Sequence, residues 1–309
     1  MSALSAQHWW AVINPRAGAG RAQARVHAAL AALRPQLAAL HIVQTNGPGH
    51  GAALAAAAAV AGADGVLAVG GDGTLFDVVC GLMQHRHCDP APGPALGLLP
   101  AGTGNSFIQD LGPSDWRHAL ARLQQGQLRP VDVLEVQHTE GLCHALNLVS
   151  VGFTAQVGAL TNRRFKALGA AGYAAATLSC LRRLRPQARV LALDAAPPWR
   201  QADTFIALCN SRYTGGRMQM APAARIDDGR LDVIRVGALS RRALLRAFPR
   251  IYRGRHTMLP AVTAQQATMV RLGETGARPT LEDVMIDGEI RPLAIRQVRV
   301  CKHALRICA

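Results

Sequence analysis

GVLAVGGDGTLFDVVCGL, residues 65–82, runs from an apolar segment through a glycine turn into a helical pattern. Val66 to Val69 reads as a buried strand, and Leu75, Val78, Val79 and Leu82 recur at helical spacing. Gly70-Gly71-Asp72-Gly73-Thr74 is therefore the turn between a strand and a helix N-terminus. Glycine lacks a Cβ, so backbone here can approach a ligand closely, and the first helical turn presents free N–H groups at the positive end of its dipole. Such a turn suits phosphate. Asp72 would repel that phosphate unless a cation lies between them, and Mg2+ is the economical choice. The same residues also suit a tight turn in which Thr74 or Asp72 caps the helix, and the pentapeptide alone leaves both readings open.

The grammar repeats on either side. Trp9 to Ile13 is a short apolar strand running into Asn14-Pro15-Arg16-Ala17-Gly18-Ala19-Gly20-Arg21, after which Ala22 to Leu33 reads as a helix closed by Pro35. No Gly-Lys-Ser/Thr follows, so this is not a Walker A loop. His41 to Thr45 is the next strand, with Thr45 at its carboxyl end, where open α/β sheets place ligands. Gly51 to Ala61 is an alanine-rich helix. Beyond the helix at Asp77–Arg86 and a proline-rich loop at Asp89–Pro94, the strand Ala95–Leu99 delivers Pro100-Ala101-Gly102-Thr103-Gly104-Asn105-Ser106-Phe107. Strands alternating with helices imply a parallel sheet covered on both faces, and the loops carrying Asn14, Asp72, Thr103 and Asn105 gather along one edge.

From Arg129 the pattern changes. Asp132–Gln137, His144–Val151, Arg189–Asp194, Thr204–Cys209, Leu231–Val236, Thr268–Leu272, Val284–Asp287 and Arg296–Cys301 read as strands, which predicts a second, mainly β domain. Asp228-Gly229 and Asp287-Gly288 have the sequence of type I′ hairpin turns. Helical interruptions fall at Phe165–Arg185 and Arg241–Tyr252. Both are arginine-rich: Arg163, Arg164, Lys166, Arg182, Arg183 and Arg185 in and around the first, Arg241, Arg242, Arg246, Arg250, Arg253 and Arg255 in and after the second. Each is either a solvated face or a surface that settles on anionic lipid.

Over 309 residues the net charge is +15, half of the residues are hydrophobic and 4% are aromatic. A globular chain with an alanine-, leucine- and valine-dominated core and an anionic partner follows; nucleic acid, a membrane surface and a phosphorylated substrate all fit the charge. Seven dispersed cysteines without a C-x-x-C pair read as reduced thiols of a cytoplasmic protein. Cys80, His85, His87 and Cys88 match no standard zinc spacing. Met1–Trp10 lacks the features of a signal peptide, and neither Gly47–Ala63 nor Pro90–Gln109 is a credible membrane span.

Taken together and in order, NPRAGAGR (14–21), GGDGTLFDVVCGL (70–82), LPAGTGNSF (99–107), NSRYTGGRMQMAPAARIDDGRLDV (210–233) and IDGE (286–289) resemble the diacylglycerol kinase catalytic family, which includes bacterial soluble lipid kinases and sphingosine kinases. The resemblance implies an α/β + β protein. Its N-terminal doubly wound α/β nucleotide domain, residues 1–130, would be similar to those of NAD kinase and phosphofructokinase. A C-terminal β-sandwich substrate domain would span 131–292, with the tail 293–309 returning to the first domain and ATP lying between the two. Carried over by residue, Thr45, the turn Gly70, Gly71, Asp72, Gly73, Thr74, Leu75 and Phe76, and then Gly102, Thr103 and Asn105 would bind ATP, with Asn14 nearby. Asp287 would be the general base and Glu289 a nucleotide or metal partner. A structural Mg2+ site would fall on the Asp228 side chain and the backbone carbonyls of Arg225 and Arg230. Asp72 and Asp132 are further candidates to hold metal through water.

The implied activity is ATP-dependent, Mg2+-requiring transfer of the γ-phosphoryl group to a lipid hydroxyl, such as that of diacylglycerol or a sphingoid base. The expected partners are ATP, the lipid and an anionic membrane surface, at which a cytoplasmic protein would sit peripherally; a homodimer is compatible with the sequence. Phosphoryl transfer needs positioning and charge neutralisation more than covalent help, so backbone amides and Mg2+ can hold a triphosphate without a P-loop lysine. Two departures stand out: Asn105-Ser106 where the family often has Asn-Asp, and Asp77 where Glu is usual. A soluble small-molecule kinase similar to NAD kinase would share the GGDGT turn but not the other segments. A basic nucleic-acid binder would explain the charge, yet no nucleic-acid module and few aromatics accompany it.

Overall fold

The computed structural model describes residues 5–20, 22–84, 86, 93–160, 164, 176, 179–182, 184–273 and 279–309. The chain divides into two compact units. One comprises the chain up to Val133 with Ile226–Gly229 and Cys301–Ala309, and the other Leu134–Arg225 with Arg230–Val300.

In the first unit, strands β1 (His8–Ile13), β2 (Ala39–Gln44), β3 (Gly65–Gly70) and β4 (Ala95–Pro100) alternate with helices α1 (Gln23–Leu33), α2 (His50–Val60) and α3 (Asp72–Met83). All four strands are parallel in the order β4-β3-β1-β2, with Trp10 opposite both His41 and Val66, and Val66 opposite Leu96. Every residue of β3 is buried, as a central strand covered on both faces requires. β1 lies between β2 and β3, so the connections leaving β1 and β3 run in opposite directions, and a crevice opens at the carboxyl ends of those two strands. The glycines of α2 and α3 let the helices meet at backbone distance: a Cβ on Gly81 would lie 2.2 Å from the Ala52 carbonyl oxygen. A fourth helix, α4 (Trp116–Gln125), was not read from the sequence, although Ala119 and Leu123 recur at helical spacing and form its buried side. Asp115 caps it by accepting from the amides of Arg117 and His118, and Gly126 ends it at φ 64°.

The second unit is antiparallel. β5 (Leu128–His138) carries the chain into it, followed by β6 (Gly141–Ala145), β7 (Leu148–Gly152), helix α5 (Phe153–Leu160), β8 (Gln187–Leu193), β9 (Trp199–Cys209), the short pair β10 (Tyr213–Thr214) and β11 (Met218–Gln219), and β12 (Leu231–Gly237). Helix α6 (Arg241–Ala247) precedes β13 (Val262–Ala267), β14 (Met269–Leu272), β15 (Glu282–Ile286) and β16 (Glu289–Leu293). β9 organises the sheet: its first half pairs with β8, and its second half with β7 and β12. β15 joins β7 on one side and β16 on the other. The predicted strand His144–Val151 is in fact two, β6 and β7, broken at Leu146-Asn147. Asp287-Gly288 is the expected hairpin, with φ of 50° and 92° between paired Ile286 and Glu289. Asp228-Gly229 is not, since only Gly229 has positive φ and β12 begins two residues later.

The last strand, β17 (Ile295–Cys308), starts beside β14 in the second unit and ends in the first, where Ile307 lies parallel to Leu96. Its terminal residues Ala304, Leu305, Ile307 and Cys308 are buried. Cys301 in this strand is disulfide-bonded, which corrects the expectation that all seven cysteines are reduced; dispersed spacing does not reveal which segments meet in space. Cys80, Cys143, Cys180, Cys209 and Cys308 are free, and burial pushes the Cys308 thiol up to about 12. Among the described residues no helix is long and apolar enough to cross a membrane. Of the expected helix at Phe165–Arg185, residues 176 and 179–182 are described and helical and the greater part lies outside the described residues, as do the His85, His87, Cys88 cluster and most of the loop at Asp89–Pro94.

Candidate active site

The carboxyl ends of β1, β2, β3 and β4 are stitched into one surface by main-chain bonds. The Asn14 amide donates to Val69 O at 3.0 Å, the Thr45 amide to Ile13 O at 2.8 Å, and the amides of Ala101 and Gly102 to Gly70 O at 2.8 and 3.1 Å. The unit thus brings together Asn14, Thr45, the turn Gly70–Phe76, Gly102, Thr103 and Asn105. Side chains are excluded where the loops touch. A Cβ on Gly102 would lie 2.4 Å from Gly71 Cα, and one on Gly18, itself at φ 58°, would lie 2.4 Å from Ala101 O. Asn105 holds the left-handed region at φ 49° and donates Nδ2–H to Gly102 O at 2.8 Å. The surface offered is therefore mostly main chain. Thr74, at the mouth of α3, is 5% exposed and its hydroxyl has no hydrogen-bond partner. Beside Asn14 lies a cavity of about 320 Å3 walled by Val26, Leu30 and Ile42, with His27 and Gln44 at its edge.

Asp72 occupies the first position of α3. Its Oδ1 accepts from the Ser106 amide at 2.7 Å, and the Ser106 hydroxyl donates to its Oδ2 at 3.3 Å. Burial raises its pKa above the ordinary carboxylate value, against the opposing pull of hydrogen bonds from Ser106, Phe107 and Asn105. Gly104 matters here, because a Cβ at that position would lie 2.7 Å from Asp72 Oδ2. Ser106 is thus tied to the same carboxylate that the sequence singles out, an assignment that the departure from Asn-Asp did not reveal. Nearby, Asp77 accepts from the Gly49 amide at 3.1 Å and fixes the start of α2.

Asp132 stands apart from Asp72 and shares no partner with it in the described contacts. Fully buried, it accepts from the Gly229 amide at 2.6 Å and from the His303 amide at 2.7 Å, and burial raises its pKa. It binds the Asp228-Gly229 turn to the last strand within the first unit. Asp227 beside it pairs with Arg129 at 2.8 Å. Of the residues expected around a structural Mg2+, Asp228 falls in the first unit and Arg225 and Arg230 in the second.

In the second unit Asp287 is 5% exposed and its carboxylate is gripped by main chain: Oδ2 accepts from the Leu146 amide at 2.7 Å, and Oδ1 from the amides of Asn147 and Leu148 at 2.9 and 2.8 Å. Its own amide returns a bond to Leu148 O at 3.0 Å. The break between β6 and β7 makes this possible, because three successive amides can converge only where the ladder is interrupted. That break is held by residues the sequence reading quoted but gave no role. Asn210 Nδ2–H donates to Leu146 O at 2.8 Å, the Asn210 amide to Asn147 O at 2.9 Å, and the Ser211 hydroxyl bonds Asn147 Oδ1. A buried Asn-Ser following a strand was the available signal. Glu289, two residues beyond Asp287, is exposed.

The chain thus pairs a parallel α/β unit, with glycine-lined loops at its strand ends, with an antiparallel β unit that holds a buried Asp in a tight hairpin. The family model for the diacylglycerol kinase catalytic domain matches residues 8–136, and that for the YegS C-terminal NAD kinase beta sandwich-like domain matches residues 147–309. The protein named diacylglycerol kinase in Mycobacterium tuberculosis (strain ATCC 25618 / H37Rv) is 33% identical over 304 residues, 96% of this chain and 94% of that one. A probable lipid kinase YegS-like protein of Xanthomonas campestris pv. campestris (strain 8004) is 33% identical over 241 residues, covering 77% and 76% of the two chains. A crystal structure of a diacylglycerol kinase from Bacillus anthracis str. Sterne shares the fold with a TM-score of 0.71 at 20% identity, covering 98% of this chain and 96% of that one. The chain belongs to the lipid kinase family that carries the diacylglycerol kinase catalytic domain.

Proposed function

We propose that the protein transfers the γ-phosphoryl group of ATP to a lipid hydroxyl at a membrane surface. The observation that carries this reading is the glycine surface at the carboxyl ends of β1, β3 and β4, where a Cβ on Gly18 or Gly102 would strike backbone. Main-chain amides at a helix N-terminus bind phosphate well, and the partnerless Thr74 hydroxyl is a buried donor that a phosphate oxygen would satisfy. Asn14, Thr45, Gly70–Phe76, Gly102, Thr103 and Asn105 are the ATP-binding residues of this proposal. The cavity beside Asn14 has the size and apolar walls that suit a nucleotide base.

The oxygen donors suit Mg2+. Asp72 is a carboxylate beside the proposed phosphate surface, and the absence of a Cβ at Gly104 lets that loop pass close to Oδ2 without covering it with a side chain. The Asp228 side chain with the carbonyls of Arg225 and Arg230 is proposed as a separate, structural Mg2+ site, Asp132 as a further carboxylate acting through water, and Glu289 as a nucleotide or metal partner. When bound, Mg2+ would neutralise charge on the phosphate oxygens. Asp287 is the proposed general base, and three amides fix its carboxylate in direction. As the acceptor hydroxyl loses its proton to Asp287, its oxygen bonds the γ-phosphorus and the bond to the β,γ-bridging oxygen breaks, releasing ADP.

Incubation with γ-labelled ATP, Mg2+ and mixed micelles of diacylglycerol, sphingosine or total lipid tests the reading. Label extracted into the organic phase supports it. Label only in soluble acceptors would move the acceptor class to small molecules, and no label with tight, salt-sensitive DNA binding would refute kinase action.

A further inference from the structure

Between Asp232 and Glu274 the chain contains no acidic residue, while Arg241, Arg242, Arg246, Arg250, Arg253 and Arg255 fall within its middle. This stretch forms α6 and the 3-10 turns Phe248–Arg253 and Arg255–Met258. Its inner side is anchored: Ile251 is 7% exposed and packs with Met220, Ala221, Val236 and Val262, and Leu239, Leu244 and Leu259 pack against the same core. Gly254 locks the turn at φ 66°, where a Cβ would lie 2.6 Å from Pro222 Cγ. The outer side therefore has a fixed orientation. It carries Leu245, Phe248 and Tyr252, which are 52%, 39% and 50% exposed, and Met258 in the following turn is 81% exposed. Leu245 and Phe248 are three residues apart and so share one helical face. Phe248 and Tyr252 stack edge to face at 6.2 Å, continuing the face as one ridge.

A ridge of large apolar side chains set among arginines, on an element already held by its other face, does not serve this unit's own core. Exposed apolar area of this kind marks a binding surface, and the mixture of aromatic ridge and arginine flank matches the boundary between anionic headgroups and acyl chains. We propose that Leu245, Phe248, Tyr252 and Met258 insert into an anionic bilayer surface while Arg241, Arg242, Arg246 and Arg250 lie among its headgroups. The partner is a lipid surface rather than nucleic acid, because the ridge between the arginines includes the exposed aliphatic side chain of Leu245, which gives a base no stacking platform but suits an acyl boundary. The inference deepens the lipid kinase reading and rests on it for its purpose, but its test does not depend on catalysis.

The full chain is sedimented with sucrose-loaded vesicles of phosphatidylcholine alone and of phosphatidylcholine containing about one-third phosphatidylglycerol, a fraction chosen to give a strong surface potential. In parallel, transfer is assayed with a short-chain diacylglycerol kept below its micellar concentration. Leu245→Ser, Phe248→Ser and Tyr252→Ser combined should reduce partition onto anionic vesicles more than tenfold while leaving turnover on the monomeric acceptor within twofold. Arg242→Ala with Arg246→Ala should abolish the preference for anionic over neutral vesicles and retain the same turnover. Vesicle partition by the triple variant equal to the parent's overturns the proposal, as does a parent that ignores vesicles and instead shifts a duplex DNA oligonucleotide. A parent that binds vesicles through the ridge yet phosphorylates no acceptor upholds the surface and refutes the kinase reading. A parent that phosphorylates the monomeric acceptor with vesicle binding indifferent to the ridge does the reverse.

Discussion

Asp72 and Asp287 are both carboxylates held by main-chain amides, one at the mouth of a helix and the other in a hairpin. Asp72 is raised in pKa by burial, so the fold favours its protonated form. That contribution to stability is complete at pH below the ordinary carboxylate range and disappears as pH rises through the raised value, leaving the ionised form held at an energetic cost at neutral pH. Asn at this position can still accept the Ser106 amide bond and can donate to the Ser106 hydroxyl. Asp72→Asn should therefore melt at or above the parent temperature at pH 7, with the gap closing toward pH 4, while transfer falls at least ~100-fold, as expected for loss of a charge serving the reaction. Melting curves across that pH range and initial rates check both parts. A variant that loses stability at pH 7 would show instead that the carboxylate is structural.

Asp287→Asn presents a different case. The side-chain amide can face Asn147 and Leu148 with its oxygen, but its NH2 then points at the Leu146 amide, donor against donor. The variant should lose about 1–3 kcal/mol of stability through that unsatisfied amide and about 100- to 10,000-fold in transfer if Asp287 is the base, with ATP affinity unchanged by titration calorimetry. Asn210→Ala supplies the control. It loosens the Leu146 loop without removing the carboxylate, so it should share the lowered melting temperature and keep most of the transfer rate.

At the scale of elements, the glycine loops predict a sharp asymmetry between neighbours. Gly102→Ala must displace Gly71 backbone and should cost about 1–3 kcal/mol by overpacking, with a matching loss of ATP affinity. Gly47→Ala meets nothing within 4 Å and should be silent. Thermal melts with and without ATP separate the two. The first four strands were legible because each is a short apolar run punctuated by Gly, Pro or Asn, and their boundaries in the structure fall within a residue or two of the reading. Two things were not. α4 carries an apolar stripe through Ala119 and Leu123 between the Asp115 cap and the Gly126 stop, but the stripe is short and lies in an otherwise polar segment, so it was passed over. The split of His144–Val151 into β6 and β7 is dictated by distant groups, Asp287, Asn210 and Ser211, which compete for the backbone of Leu146-Asn147. Local sequence shows a continuous strand there; only the fold shows why it breaks. In the candidate site, the glycines and carboxylates stood out by their types and order, whereas the Ser106 bond to Asp72 depends on two loops meeting 34 residues apart.

On the scale of the whole molecule, the first unit is assembled from three chain segments, Met1–Val133, Ile226–Gly229 and Cys301–Ala309. Asp132 is the junction, accepting from Gly229 and His303 at once. Asp132→Ala would leave those two amides without their acceptor and should cost about 1–3 kcal/mol for each. A lower denaturation midpoint with unchanged m-value would fit local loss at this junction, while a reduced m-value would mean that the tail had already detached in the native state.

The path of the chain has a consequence for how the protein is made. Leu305 and Ile307 fill the flank of a sheet whose other strands left the ribosome roughly two hundred residues earlier, so the nucleotide-type unit must wait, incomplete, while the β unit is synthesised. Nascent chains stalled before residue 301 should resist protease across the β unit and be cut within the first hundred residues. On the proposed function, a polypeptide stalled before residue 301 lacks the strand that completes the first unit and should bind no ATP, which nucleotide binding to the stalled chains would check.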